Sequence, residues 1–99
     1  MMKTTTMQEI KKYLNSPQAN TLVLDVREPE EFAEGHVPGA KNIPLGEVSQ
    51  HLTEIKSYQR ILLYCRSGKR AQVATMELEG QGVLGIECVA QGGMITWEE

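Results

Sequence analysis

Met7, Ile10 and Leu14 recur at the spacing of one helix face, and the polar break Asn15-Ser16-Pro17 follows them. Residues three and four apart share one side of a 3.6-residue turn, so this spacing predicts an amphipathic helix that stops at the break. The pattern then changes. "TLVLDV" (21–26) is a short, nearly continuous apolar run with two valines. Such a run predicts a strand covered on both faces, as in a parallel sheet. "REPEEFAEGHVPGAKNIP" (27–44) is punctuated by three prolines and two glycines, so it predicts short pieces. These are a brief helix starting at Pro29, a turn, and a short strand near Ala40–Ile43.

Val48, Leu52 and Ile55 fall at i, i+4, i+7 and predict an amphipathic helix over 47–56. "RILLYC" (60–65) is a second buried strand. "RAQVATMELEGQG" (70–82) places Ala71, Ala74 and Leu78 on one helix face with Val73 beside them, and its glycines stop the helix. "IECVA" (86–90) is a last strand, followed by Gly92-Gly93 and "MITW". Strands alternating with helices imply an α/β fold with a parallel sheet wrapped on both sides. In such folds the loops leaving the carboxyl ends of strands carry the sites. Asp25, Arg27 and Cys65 all leave strands at that end, so the pattern brings them to one rim.

Composition narrows the picture further. The 99 residues, 40% hydrophobic and 23% charged, suit one folded domain over 1–99 with a core of its own. A net charge of −3 argues against a general nucleic-acid or acidic-membrane binder. The N-terminus lacks the apolar stretch of a secretion signal, and no apolar run approaches the ~20 residues that span a bilayer. A cytoplasmic, monomeric protein is expected, with its two cysteines as free thiols. There is no CxxC, no HxxxH, and His36 and His51 lie far apart. Neither a metal site nor a cofactor is expected.

The chemistry concentrates in "YCRSGKRA" (64–71), where Arg66, Lys69 and Arg70 crowd behind Cys65. With Cys65 at the strand end and a helix starting near Arg70, the amide N–H groups of 66–70 curl around the sulfur as a nest opening into a helix N-terminus. Such a cradle favours thiolate over thiol. A helix dipole alone supplies only about 0.3–1 kcal/mol, so several donors and the nearby cations are needed. A basic turn that merely caps a helix leaves the pattern unexplained, because cations at a helix N-terminus oppose the macrodipole. The cluster therefore predicts a nucleophile serving a small anion. Cys88, inside "IECVA" without basic neighbours, reads instead as a small buried hydrophobe.

"LDVREPEEFAEGHVPGAKNIPL", "YCRSGKRA" and "GGMITW", in this order and at these separations, together resemble a single-domain rhodanese, a thiosulfate sulfurtransferase, from about Thr21 to Trp97. The resemblance implies a rhodanese-like α/β fold with a central five-stranded parallel sheet flanked by helices on both faces. One further strand, around Lys3–Thr5, is then required. It implies that Cys65 takes the outer sulfur of thiosulfate as a persulfide and releases sulfite, after which cyanide, a thiol or an acceptor protein removes the sulfur. The family loop C-R-x-G-x-[RT] matches Cys65-Arg66-Ser67-Gly68-Lys69-Arg70 at every fixed position. Arg66, Lys69 and Arg70 would then hold the anionic donor, Gly68 would allow the tight cradle, and Ser67 would donate a further hydrogen bond. Asp25 and Arg27 would brace the loop. His36 would build a turn, His51 would be exposed, Trp97 would pack the C-terminus, and Gly92-Gly93 would let the backbone approach the loop.

Other functions compete. Related dual-specificity phosphatases need Cys-x5-Arg, whereas this chain has Cys-x4-Arg, a shorter ring that suits one sulfur better than a phosphoryl group with three equatorial oxygens. A carrier in a protein sulfur relay would use the same chemistry with a different partner. A non-catalytic recognition module would have no use for the complete loop.

Overall fold

The computed structural model describes residues 2–97. Its five strands lie in the order β1 (Lys3–Thr5), β5 (Ile86–Val89), β4 (Arg60–Tyr64), β2 (Thr21–Asp25) and β3 (Lys41–Asn42). Every adjacent pair is parallel. Four α-helices are interspersed: α1 (Met7–Asn15), α2 (Pro29–Glu34), α3 (Leu52–Lys56) and α4 (Lys69–Gly80). The strand required around Lys3–Thr5 is present and pairs with Glu87–Val89.

Side chains alternate across each strand, and the alternation divides the core in two. Leu22, Leu24, Ile61, Leu63, Ile86 and Cys88 face one side, where Ala71, Ala74 and Leu78 of α4 and Ile55 of α3 cover them. Val23, Leu62, Tyr64 and Val89 face the other, against Met7 and Ile10 of α1. Burial on both faces is why β2 and β4 are apolar at successive positions rather than at every second one. α1 starts where the side-chain oxygen of Thr6 accepts the Glu9 N–H at 3.1 Å, a cap worth about 1 kcal/mol.

Three local expectations change. The stretch expected as one helix over 47–56 is a 3₁₀ segment, Leu45–His51, followed by the short α3. A 3₁₀ turn puts residues three apart in line, so Leu45 and Val48 both reach the core. Val73 is not beside the buried face of α4 but 47% exposed. It lies two residues past Ala71, roughly 200° further round the helix. His51 is half-buried rather than exposed, with its Nδ1 3.6 Å from the Glu54 carboxylate.

Candidate active site

From β2 the sheet grows towards β3, and from β4 it grows the opposite way, towards β5. Since β2 and β4 are neighbours, the chains leaving their carboxyl ends turn apart and open a crevice between them. Asp25 ends β2 beneath that opening, Arg27 follows in the loop after β2, and the loop after β4 carries Cys65 to Gly68.

Cys65 follows β4 immediately, and its side chain lies on the α4 side of the sheet with Ala71. Its Sγ is hidden from solvent and accepts the amide N–H of Gly68 at 3.1 Å and of Ala71 at 3.2 Å. The amides of Arg66, Ser67, Lys69 and Arg70 find no acceptor among the described residues. Two N–H groups of the loop thus hold the sulfur, and four more are left unclaimed by the described residues. Gly68 makes the curl possible by adopting φ +108°, the left-handed region. From behind, the Cys65 and Arg66 carbonyls accept the N–H groups of Met94 and Ile95 at 2.9 and 3.0 Å. That clamp requires Gly93, where a Cβ would lie 2.2 Å from the Cys65 oxygen.

Beneath the crevice sits a buried polar cluster. Asp25 accepts from the Arg27 guanidinium at 2.7–3.0 Å and from the Arg27 amide at 2.9 Å. Arg27 also donates to the Gly35 carbonyl at 2.8 Å. The Tyr64 hydroxyl accepts the Val37 N–H at 3.2 Å. Burial, and after it the hydrogen-bonding influence and charge of Asp25, pushes the phenol well above its ordinary range against the pull of the Val37 hydrogen bond. Asn42 of β3 ties that strand to the end of β2 by donating to the carbonyls of Asp25 and Arg27 at 3.0 and 2.9 Å. The cluster welds the loop after β2 to β3 and β4. It does not touch Sγ directly.

The three cations of the loop separate into two kinds. Arg66 and Lys69 are exposed and make no ion pair among the described residues. Ser67 is exposed as well. Arg70 instead grips Glu31 of α2 through two hydrogen bonds of 2.6 and 2.9 Å. Hydrogen bonding from Arg70 is the main reason the Glu31 carboxyl is pulled down to about 2, against the opposing effect of burial. Beside the loop opens a cleft of about 250 Å³ whose walls include Arg27, Glu31, Glu34, Arg66, Met94 and Ile95.

Glu31, Glu34, Asn42, Tyr64, Met94 and Ile95 were not singled out from the sequence. Glu31 had a faint local signal, since its spacing from Glu28 marks a capping box, and the Glu28 N–H indeed donates to Glu31 at 3.0 Å. His36 lies between α2 and the turn at 38–39: its ring stacks on Phe32 at 3.7 Å and its Nδ1 lies 2.8 Å from the Phe32 carbonyl. Trp97 packs with the α1-side core. Cys88 is fully buried, and burial is the chief cause that pushes its thiol up.

The rhodanese-like domain family model matches residues 6–99. Two proteins of Bacillus subtilis are similar. A putative sulfurtransferase, YtwF, is 34% identical over 77% of this chain and 72% of its own. A putative sulfur carrier protein, YrkF, is 39% identical over 76% of this chain, a match that spans only 40% of that protein. The crystal structure of a rhodanese-like domain protein from Staphylococcus aureus superposes with a TM-score of 0.86 at 31% identity, covering 99% of this chain and 93% of that one. A central parallel sheet, a cysteine at the carboxyl end of an inner strand and this breadth of similarity converge on one family. The chain belongs to the rhodanese-like proteins, a family with sulfurtransferases among its members.

Proposed function

We propose that this protein moves sulfane sulfur through a persulfide on Cys65, with thiosulfate as a donor and cyanide or another thiophile as acceptor. The carrying observation is Sγ held by the Gly68 and Ala71 amides inside a loop whose remaining N–H groups are unclaimed by the described residues. In the first step the Cys65 thiolate attacks the outer sulfur of thiosulfate. A Cys65 S–S bond forms, the donor's S–S bond breaks, and sulfite leaves with the electron pair. The terminal sulfur then carries the negative charge, and the open amides, with Arg66, Lys69 and the Ser67 hydroxyl around them, suit an anion in that position. An incoming nucleophile takes that sulfur and returns the thiolate.

Arg70 enters this scheme as part of a wall, through its pair with Glu31. Asp25 and Arg27 act as braces. The test is intact mass under non-reducing conditions after thiosulfate treatment. Wild type and Cys88→Ser should gain one sulfur that cyanide removes, and Cys65→Ser should gain none. Equal loading of Cys65→Ser and wild type would overturn the assignment.

The apolar side chains of Met94 and Ile95 in the cleft favour a second reading alongside the first. Here a thiol-borne donor or a protein acceptor replaces the small ions, as in a sulfur relay.

A further inference from the structure

Cys-linked sulfur transfer needs a donor, and the donors available to it differ in charge. Thiosulfate brings two negative charges to the mouth, and the sulfite it releases leaves as a dianion. A thiol persulfide, R–S–SH, brings an outer sulfur on an organic tail. Resting on the sulfur-transfer proposal, we infer that the mouth favours a thiol persulfide over thiosulfate, and that Glu31 sets this preference by occupying Arg70.

Three observations meet here. The Arg70 guanidinium is engaged by both oxygens of Glu31, at 2.6 and 2.9 Å, so its fork is already filled by a carboxylate. The Asp25–Arg27 pair, at 2.7 Å, cancels the second arginine of the cleft in the same way. What remains around the opening is Arg66 and Lys69 against Glu34, with the exposed Ile95 and the neighbouring Met94 as apolar wall. The anion site drawn from the sequence as Arg66, Lys69 and Arg70 thus keeps two unpaired cations, Arg66 and Lys69, and a weaker field. The methylenes of an organic tail have a surface to lie on, which sulfite lacks the carbon to use.

The step balances without an added oxidant or reductant. The Cys65 thiolate attacks the outer sulfur of R–S–SH, the new Cys65 S–S bond forms as the donor's S–S bond breaks, and R–S⁻ leaves with the electron pair.

Charge subtraction tests the assignment. The probes are thiosulfate and 2-hydroxyethyl persulfide, whose tail is neutral, each followed by mass of the persulfidated chain and by kcat/KM. Glu31→Gln frees Arg70 and should raise thiosulfate kcat/KM about three- to tenfold, mainly through KM, the scale of one charge acting across a partly solvated mouth. Arg70→Gln exposes a lone carboxylate and should lower it by about the same factor. The double variant, which removes a neutral pair, should return to within about twofold of wild type. The hydroxyethyl persulfide should load Cys65 faster than thiosulfate in wild type, and all three variants should hold its rate within about twofold.

A purely structural role for the pair would change both donors together and leave their ratio fixed. A direct role for Arg70 in binding the donor would keep the double variant as poor as Arg70→Gln. Either result overturns the inference while Cys65 still loads. If neither donor loads Cys65 in wild type, the sulfur-transfer proposal itself falls.

Discussion

The backbone of Gly68 passes so close to Ala90 that a Cβ on Gly68 would lie 2.2 Å from the Ala90 carbonyl oxygen. The same glycine holds φ at +108° and donates its N–H to the Cys65 sulfur. Conformation, clearance and hydrogen bond thus coincide at one residue. Gly68→Ala should cost about 2–4 kcal/mol in denaturant unfolding and abolish loading of Cys65 in the folded fraction. Gly85→Ala is the control. Its Cβ would meet the Gln59 oxygen at the same 2.2 Å, but on the opposite end of the sheet. It should be destabilised similarly while its folded fraction keeps normal sulfur loading.

Removing one partner of a buried ion pair strands the other. Asp25 is fully buried and Arg27 nearly so, and they are joined by several hydrogen bonds. Asp25→Asn should therefore destabilise by about 3–5 kcal/mol, read from the urea midpoint at constant slope. A loss below 1 kcal/mol would show that the guanidinium finds solvent or another acceptor.

Tyr64 offers a milder version of the same test. Tyr64→Phe keeps the ring but removes the acceptor of the buried Val37 N–H, and should cost about 1–3 kcal/mol. Hydrogen exchange should report it locally, as faster exchange at Val37. Unchanged exchange there would mean that the hydroxyl does not anchor this turn.

The Glu31–Arg70 pair makes stability depend on acid in a defined direction. The folded value of Glu31, about 2, lies below its ordinary 4.5, so the unfolded chain takes up the proton first. The pair's contribution, on the order of 1 kcal/mol at this partly exposed site, is complete above pH 4.5 and disappears as the pH falls towards 2. Wild type should exceed Glu31→Gln in unfolding free energy near neutrality, and the two should converge near pH 2. A gap that stays constant across this range would remove the ionic origin.

Local physics made much of the architecture legible. The runs "TLVLDV" and "RILLYC" announce buried parallel strands because both of their faces are covered, and β2 and β4 lie within them. The helix at Met7–Asn15 follows from three apolar positions and a polar stop. Where the expectation slipped, the competing force was tertiary. Leu45–His51 winds as 3₁₀ because the core rewards Leu45 and Val48 together, which a list of residues spaced for an α-helix does not reveal. Three-residue β1 carries little pattern of its own; only the family resemblance implies it, and it exists through pairing with β5.

The sequence by itself determined which sulfur stands at a strand end, which glycine lets the loop curl behind it, and how many cations follow. Those are local matters, fixed by residue type, left-handed backbone and spacing. Only the tertiary structure decided what the cations face. Glu31 lies 39 positions from Arg70 in the chain, and the crossover that brings them to 2.6 Å is set by strand order rather than by either segment. Electrostatic strength depends on distance in space and not on distance along the chain, so a run of positive residues legible at once as an anion site proved to be partly neutralised.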